Sequence, residues 1–247
     1  MKKVLYKKDV NVLLYEVINE DETTVTIRGV NYRRILRVNK SEIVTAPDDL
    51  IKKEEEVNKF YNKLYFRGST IKRKVGMVVH FDSDSNYLEK CCDLYKKMGV
   101  YCYPILTKEE NITNKINDED FGFVPDVVVL TGHDLFIGGD KKELDSYTNS
   151  IYFVSGVRAT RKKYPSSVII AGACQSNFEA LIANGANFAS SPKRINVHIY
   201  DPVIIAVFVA VTSFRKIVNF DEIEKHIDSI RESFGGIETF GKMKMLY

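Results

Sequence analysis

The first part of the chain alternates between apolar and polar residues, with the period of two that is typical of half-buried strands. Three such segments, residues 12–18, 23–29 and 32–38, are separated by the turn sequences NEDE and GVN. This spacing predicts a small antiparallel barrel or meander. No convergent set of catalytic residue types lies in it, so we interpret it as an interaction or packing module.

The pattern changes after residue 46. Residues 46–66 are rich in Glu and Lys, and Pro47 and Asp48 supply a helix start signal, so this segment predicts a connecting helix. The basic stretch that follows, residues 67–74, is typical of an exposed linker.

From residue 75 onward, short apolar blocks alternate with longer segments that have helical periodicity. The blocks that predict strands are VGMVVHF, VYCYPIL, DVVVL and SVIIAG, and the segments that predict helices are NYLEKCCDLYKKMG, SYTNSIYFVSGVRATRKKY and SNFEALIANG. Strands that are apolar throughout are buried on both faces. The order therefore predicts an α/β fold with a mostly parallel sheet and helices on both faces. Ligands of such sheets bind beyond the carboxyl ends of the strands.

These patterns divide the chain into three parts. We expect a small SH3-like β module at residues 1–46, a linker helix and basic loop at 47–74, and an α/β domain at 75–247. The apolar run at 202–211 is about half of what a membrane span needs, so it predicts a buried helix or strand and no membrane partner. Charged residues interrupt the apolar N-terminus, which predicts no targeting segment.

Composition argues against several classes of function. The 247 residues are 45% apolar and 28% charged, and a net charge of +3 without a clustered basic stripe argues against a nucleic-acid partner. The cysteines, Cys91, Cys92, Cys102 and Cys174, have spacings that fit neither a zinc site nor a compact disulfide framework. We therefore expect reduced cysteines in a cytosolic compartment, no metal and no cofactor.

Two of the predicted strands end on a reactive side chain. VVVLTGHDLF contains His133, and VIIAGACQSN contains Cys174. One βα unit separates them, so their strands can be neighbours whose carboxyl ends share an edge of the sheet. We place Cys174 at the start of a short helix, where the dipole and free N–H groups would stabilise a thiolate. His133 would then be its base or its imidazolium partner, and the backbone N–H of Cys174 could donate to an oxyanion.

Each residue of the pair also has an ordinary explanation. A lone cysteine in an α/β protein is usually a small buried hydrophobic residue, and a histidine after a strand is often only a hydrogen-bonded loop residue. The matching settings of His133 and Cys174, an apolar block, small residues and then the reactive residue, favour a catalytic pair. The other three cysteines fit a packing role, since two lie on a predicted helix and one in a strand.

The pair resembles the arrangement of caspase-like cysteine peptidases, in which one strand ends in His-Gly and a later strand ends in Ala-Cys. The segment GACQS shares Ala-Cys-Gln with the caspase signature. The chain departs from this pattern at two positions, because Asp134 follows His133 and Ser176 stands where caspases have glycine. The resemblance implies that the oxyanion donors are Cys174 and the residue after the histidine, here Asp134.

The whole chain resembles a narrower family, the YabG-type sporulation peptidases of endospore-forming bacteria. The segments that carry the resemblance are VLLYEVI, YRRILRV, VVHFDSDSNYLEKC, PDVVVLTGHD, VIIAGACQSNFEALIANGANFASSP and VHIYDPV. The resemblance implies a cysteine peptidase that is made late in sporulation in the mother-cell cytoplasm and associates with the spore coat. It implies protein substrates, namely spore-coat and cortex-associated proteins, that are cut mostly after basic residues. Self-cleavage is also implied, and exposed basic loops such as residues 66–74 are the expected sites.

Cleavage after arginine requires a carboxylate near Cys174, because an unpaired buried guanidinium is costly. The candidates are Asp82 and Asp84 in HFDSDS and Asp201 in IYDPV. Asp82 is the first choice, since it lies two residues past His80, where a strand end should open into the cleft.

These acidic residues have structural alternatives that the sequence leaves open. Asp84 or Ser85 can cap the helix that follows, and Asp82 can hold the turn. Asp201 precedes Pro202 and can serve as a helix N-cap.

Two other functions compete with a peptidase. One is a non-catalytic α/β binding module fused to a β interaction domain. The other is an amidase or glutaminase with a cysteine elbow, which is disfavoured because G-x-C-x-G would need glycine at position 176. The sequence leaves the oligomeric state open.

Overall fold

The computed structural model describes residues 2–63, 73–227 and 230–245. The chain divides into two compact units, Met1–Leu64 and Tyr65–Tyr247. Residues 64–72 lie outside the described residues, and they include the end of the predicted connecting helix and most of the loop in which self-cleavage is expected.

The N-terminal unit contains a five-stranded antiparallel sheet followed by one helix. Its strands are β1 (Lys3–Tyr6), β2 (Tyr15–Glu20), β3 (Thr24–Gly29), β4 (Ile35–Asn39) and β5 (Ile43–Thr45), in the order β4-β3-β2-β1-β5. The predicted antiparallel β structure is confirmed. β1 and β5 were not predicted, because strands of four and three residues are too short to show a period. Helix α1 (Asp48–Lys63) follows the sheet.

The second unit alternates strands and helices. Its strands are β6 (Arg73–Lys74), β7 (Val78–Asp82), β8 (Cys102–Leu106), β9 (Val127–Leu130), β10 (Val168–Ala171), β11 (Phe188–Ser190), β12 (Phe234–Gly236) and β13 (Lys244–Met245). Its α-helices are α2 (Ser85–Lys97), α3 (Ile112–Asp118), α4 (Ser150–Lys163), α5 (Phe178–Ala183), α6 (Asp201–Val211), α7 (Phe220–Glu224) and α8 (Ile230–Ser233).

Six of these strands form one sheet in the order β12-β11-β10-β9-β7-β8. All neighbours are parallel except β11 and β12. Alternate residues point to opposite faces, as strand geometry requires. Val79 and Phe81 belong to the apolar cluster that contains α3 and α4, whereas His80 bonds to Tyr95 of α2 on the other face. The predicted mostly parallel sheet with helices on both faces is therefore confirmed.

The apolar run near the C-terminal part of the sequence is helix α6. Its residues from Asp201 to Ala210 are buried, so it is a core helix with no polar face. The Gly76 N–H donates to the Ala210 carbonyl at 3.0 Å, which places the end of α6 beside the start of β7. Within the described residues, no helix is long and apolar enough to cross a membrane.

Candidate active site

The strands β9 and β10 bring His133 and Cys174 to the same edge of the sheet. The two strands are parallel neighbours, and Leu130 of β9 pairs with Ala171 of β10. His133 and Cys174 each lie three residues beyond that pair, in residues 131–135 (the histidine loop) and residues 172–177 (the cysteine loop). His133 and Cys174 therefore follow adjacent strands, as the sequence predicts.

The backbone of His133 is held on both sides. Its N–H donates to Glu109 Oε1 at 2.6 Å, and its carbonyl accepts from Asn149 Nδ2 at 2.8 Å. Both ring nitrogens lack a hydrogen-bond partner among the described residues. The Nε2 atom lies 4.0 Å from Asp84 Oδ2, and the side chain is 23% exposed. The position of His133 is thus fixed by its backbone and not by hydrogen bonds of its ring.

Cys174 is 2% exposed, and its sulfur faces a backbone segment that follows β11. The thiol contacts the Val197 carbonyl at 3.7 Å, and the Val197 N–H donates to Sγ at 3.4 Å. The Gln175 N–H donates to the Ile195 carbonyl at 3.0 Å, so the same segment is also attached next to the cysteine. Both polar groups of the Val197 backbone therefore hold the sulfur in place.

The expected helix N-terminus at Cys174 is wrong. Helix α5 begins at Phe178 and its N-cap is Asn177, so Cys174 lies in a turn three residues before the cap. Gln175 has a φ of 59° and Gly172 a φ of 105° in this turn. A side chain at position 172 would meet Ser190 Oγ at 2.3 Å, so glycine is required there. The Val197 N–H, which donates to the sulfur, lies outside this helix.

Asp134 joins the histidine loop to the cysteine loop. Its Oδ2 accepts from Ser176 Oγ at 2.8 Å and from Ser150 Oγ at 2.5 Å, while Oδ1 accepts from the Asn149 N–H at 2.8 Å. Burial raises the pKa of this carboxyl group, and the hydrogen bonds from Ser150, Asn149 and Ser176 act in the opposite direction.

Backbone donors near the pair are mostly occupied. The Ala173 N–H donates to Ser176 Oγ at 2.9 Å, and the Leu135 N–H donates to Asp134 Oδ1 at 2.9 Å. The Asp134 N–H, by contrast, has no partner in the part of the chain that the structure describes. This is the N–H that takes the place of the glycine N–H in the caspase pattern.

The three candidate carboxylates are all buried. The side chain of Asp82 is inaccessible, and it accepts from the Asp84 N–H at 3.0 Å and from Thr131 Oγ1 at 2.7 Å. Asp84 is the N-cap of α2, and its Oδ1 accepts from the Asn86 N–H at 2.8 Å. Asp201 is 3% exposed and is the first residue of α6. Of the structural alternatives, the turn at Asp82 and the cap at Asp84 are present, whereas the residue at the N-cap of α6 is Tyr200.

Several residues that shape this site had no signal in the sequence. Glu109 accepts the His133 N–H from the short 3₁₀ helix after β8, and its carboxylate also accepts from Ser83 Oγ at 2.5 Å. Asn149 and Val197 act from segments that lie far along the chain from the residues they hold. Ser176 was visible only as a departure from the caspase pattern.

The described residues contain no group of three or more His, Cys, Asp or Glu that could hold a metal ion. The four cysteines are free thiols, with Cys91 and Cys174 buried. The side chains that the two loops bring to this edge of the sheet are a thiol and an imidazole, beside backbone N–H groups.

Comparison with known proteins identifies the family. The model of the YabG peptidase U57 family matches residues 2–247, and the chain belongs to this family. The chain is also similar to the curated "Sporulation-specific protease YabG" of Bacillus subtilis (strain 168), with 42% identity over 175 residues. That match covers 69% of this chain and 60% of the relative, so the matched part spans less than two thirds of the relative's length. No solved structure matches the chain.

Proposed function

We propose that the chain is a cysteine endopeptidase in which Cys174 is the nucleophile and His133 the general base. The observation that supports this most directly is the placement of both residues three positions beyond one paired set of residues on neighbouring parallel strands. Membership of a peptidase family supports the class of reaction.

The reaction follows from these two side chains. His133 accepts the proton of the Cys174 thiol, and the sulfur attacks the carbonyl carbon of the scissile peptide bond. The oxyanion that forms accepts hydrogen bonds from the backbone N–H groups of Asp134 and Cys174. As the C–N bond breaks, the imidazolium returns its proton to the leaving amine, and a thioester remains on Cys174. Water, deprotonated by His133, then hydrolyses this thioester and restores the thiol.

The resting arrangement has to open before this reaction. Cys174 is 2% exposed, its sulfur contacts the backbone of Val197, and neither ring nitrogen of His133 has a hydrogen-bond partner among the described residues. Substrate entry therefore requires the segment around Val197 to move away from the sulfur, after which the thiol can turn to His133.

The family resemblance supports a more specific role. The expected substrates are spore-coat and cortex-associated proteins in the mother-cell cytoplasm, cut after Arg or Lys, and the enzyme is expected to cut itself. The curated relative is named as specific to sporulation, which favours the same setting. A carboxylate that pairs with the basic side chain is required, and Asp82, Asp84 and Asp201 remain the candidates. We place Asp84 first because Asp82 has no accessible side chain, whereas Asp84 Oδ2 lies 4.0 Å from His133 Nε2.

The test compares the wild-type protein with Cys174→Ala on a library of peptides that each contain one Arg or Lys. We expect cleavage after the basic residue by the wild type and none by Cys174→Ala, with Cys92→Ala as a matched control that keeps activity. A peptide chloromethyl ketone ending in Arg should add its mass at Cys174. Cleavage by Cys174→Ala at the wild-type rate would overturn the proposal, and a wild type that binds peptides without cutting them would favour a binding module.

A further inference from the structure

A basic cavity of about 350 Å³ lies beside the cysteine loop. We call it the basic pocket, and it is lined by Lys141, Lys142, Glu179, Pro192, Lys193 and Arg194. The lysines come from two separate segments, one that follows the histidine loop and one that follows β11, and Glu179 lies in the first turn of α5. None of these residues takes part in the proposed reaction.

Hydrogen bonds attach the walls of the basic pocket to the cysteine loop. Asn177 Nδ2 donates to the carbonyls of Lys141 and Lys142 at 3.2 and 3.3 Å. On the other side, the Gln175 N–H donates to the Ile195 carbonyl, one residue beyond Arg194. Gln175 and Asn177, one and three positions after Cys174, therefore hold both walls, and the pocket lies next to the cysteine loop.

The charges of the basic pocket are only partly compensated. Arg194 is paired with Glu179, and it also donates to Tyr147 Oη at 2.6 Å. Lys193 is paired with Glu232 at 2.7 Å. Lys141 and Lys142 are exposed and form no ion pair with any residue that the structure describes. Lys141 and Lys142 thus add two adjacent positive charges to a cavity whose other two cations, Lys193 and Arg194, are already paired.

We infer that the basic pocket is a substrate subsite that takes the carboxylate of an Asp or Glu side chain close to the scissile bond. This inference rests on the proposed peptidase function and adds a second element of specificity to it. The enzyme would recognise a basic substrate residue at the cleavage position and an acidic substrate residue at a neighbouring position. Because Lys141 and Lys142 are exposed, each ion pair is weak and is screened by salt, so the subsite selects among substrates more than it holds them.

The experiment uses peptides with one Arg and either Glu or Gln at each flanking position in turn. The variant Lys141→Gln/Lys142→Gln removes the two unpaired charges. The matched control is Arg215→Gln/Lys216→Gln, which removes the same charge from two exposed residues. These residues follow the C-terminal end of α6, which lies beside the start of β7 and therefore at the opposite edge of the sheet from the basic pocket. For wild type and control we expect Glu at one or two positions to raise kcat/KM by roughly fivefold over Gln, the size of one or two exposed ion pairs. This preference should disappear in Lys141→Gln/Lys142→Gln and weaken as salt is added.

Fluorescence anisotropy of the same peptides with Cys174→Ala measures their affinity for the subsite in the absence of turnover. A preference for Glu in this assay that is lost in Lys141→Gln/Lys142→Gln would support the subsite, whether or not any peptide is cut. Absence of cleavage by the wild type would overturn only the peptidase function. Equal treatment of Glu and Gln by the wild type, or a preference for Glu that survives in Lys141→Gln/Lys142→Gln, would overturn the subsite. Cleavage after Arg with no acidic preference would overturn the subsite and leave the peptidase intact.

Discussion

Ser176 Oγ donates a hydrogen bond of 2.8 Å to Asp134 Oδ2. The same hydroxyl accepts the Ala173 N–H at 2.9 Å, so one serine links the histidine loop to the peptide that precedes Cys174. Asp134 and Ser176 are the two positions at which the caspase pattern has glycine. The two departures are therefore hydrogen-bonded partners, and they hold the two loops in a fixed relation.

The first prediction is that Ser176 and Asp134 are energetically coupled. Ser176→Ala leaves the buried Ala173 N–H without its acceptor and removes one donor from Asp134, so we expect unfolding to become easier by about 1–3 kcal/mol. Turnover should fall more than affinity, since the oxyanion donors shift. A double-mutant cycle with Asp134→Asn, read by denaturant unfolding and by kcat, should give a coupling of about 0.5–3 kcal/mol.

The control for this cycle is Ser155→Ala, whose hydroxyl donates to the Ile151 carbonyl within α4 at 2.9 Å. It should change stability and turnover little. If the effects of Ser176→Ala and Asp134→Asn simply add, the hydrogen bond does not couple the loops.

The second prediction concerns the pH dependence of stability. Burial raises the pKa of Asp134 in the folded protein above that of an unfolded aspartate, so the folded state binds more protons in the window between the two values. The unfolding free energy of the wild type, relative to Asp134→Asn, should therefore decrease as the pH rises from about 4 through the raised pKa. Urea titrations of both proteins across this range measure the difference. A difference that stays constant, or that increases with pH, would contradict the shift.

The third prediction is that His133→Ala slows turnover by roughly a hundredfold or more, the usual range for loss of a general base. The backbone bonds to Glu109 and Asn149 do not involve the ring, so the loop should keep its position. Alkylation of Cys174 by iodoacetamide should lose its wild-type dependence on pH. His226→Ala is the control and should behave as the wild type. An unchanged alkylation profile in His133→Ala would remove His133 as the partner of the cysteine.

The sequence could predict the parts of this molecule that depend on local pattern. Continuous apolar blocks determine β7, β9 and β10, and because parallel strands share a carboxyl edge, they bring His133 and Cys174 to one place. The strands β11 and β12 have three residues each, too few to show a period, and their pairing is set by the tertiary structure.

The contacts around the reactive residues could not be predicted in the same way. Glu109 bonds to His133 across 24 residues and Val197 to Cys174 across 23, and no spacing rule connects such positions. The start of α5 was predicted too early because small residues before a helix do not reveal which of them is the cap. Here Asn177 supplies the cap, and its side chain accepts from the Ala180 N–H.

The last prediction separates the roles of the three carboxylates. Asp84→Asn removes the charge and keeps an N-cap of equal quality, because asparagine and aspartate cap helices about equally well. If Asp84 pairs with a substrate arginine, kcat/KM for an Arg peptide should fall by roughly two to three orders of magnitude, the loss expected for a buried charge without its partner. Cleavage of a citrulline peptide, which has the shape of arginine without its charge, should change little.

Asp82→Asn should instead lower stability, since Asp82 accepts hydrogen bonds from the Asp84 N–H and Thr131 Oγ1. It should keep the ratio of Arg to citrulline cleavage. Asp201→Asn, at the start of α6, should keep this ratio too. Equal losses on both peptides in Asp84→Asn would mean that Asp84 acts through the imidazole 4.0 Å away, and a ratio that collapses only in Asp82→Asn or Asp201→Asn would transfer the role to that residue.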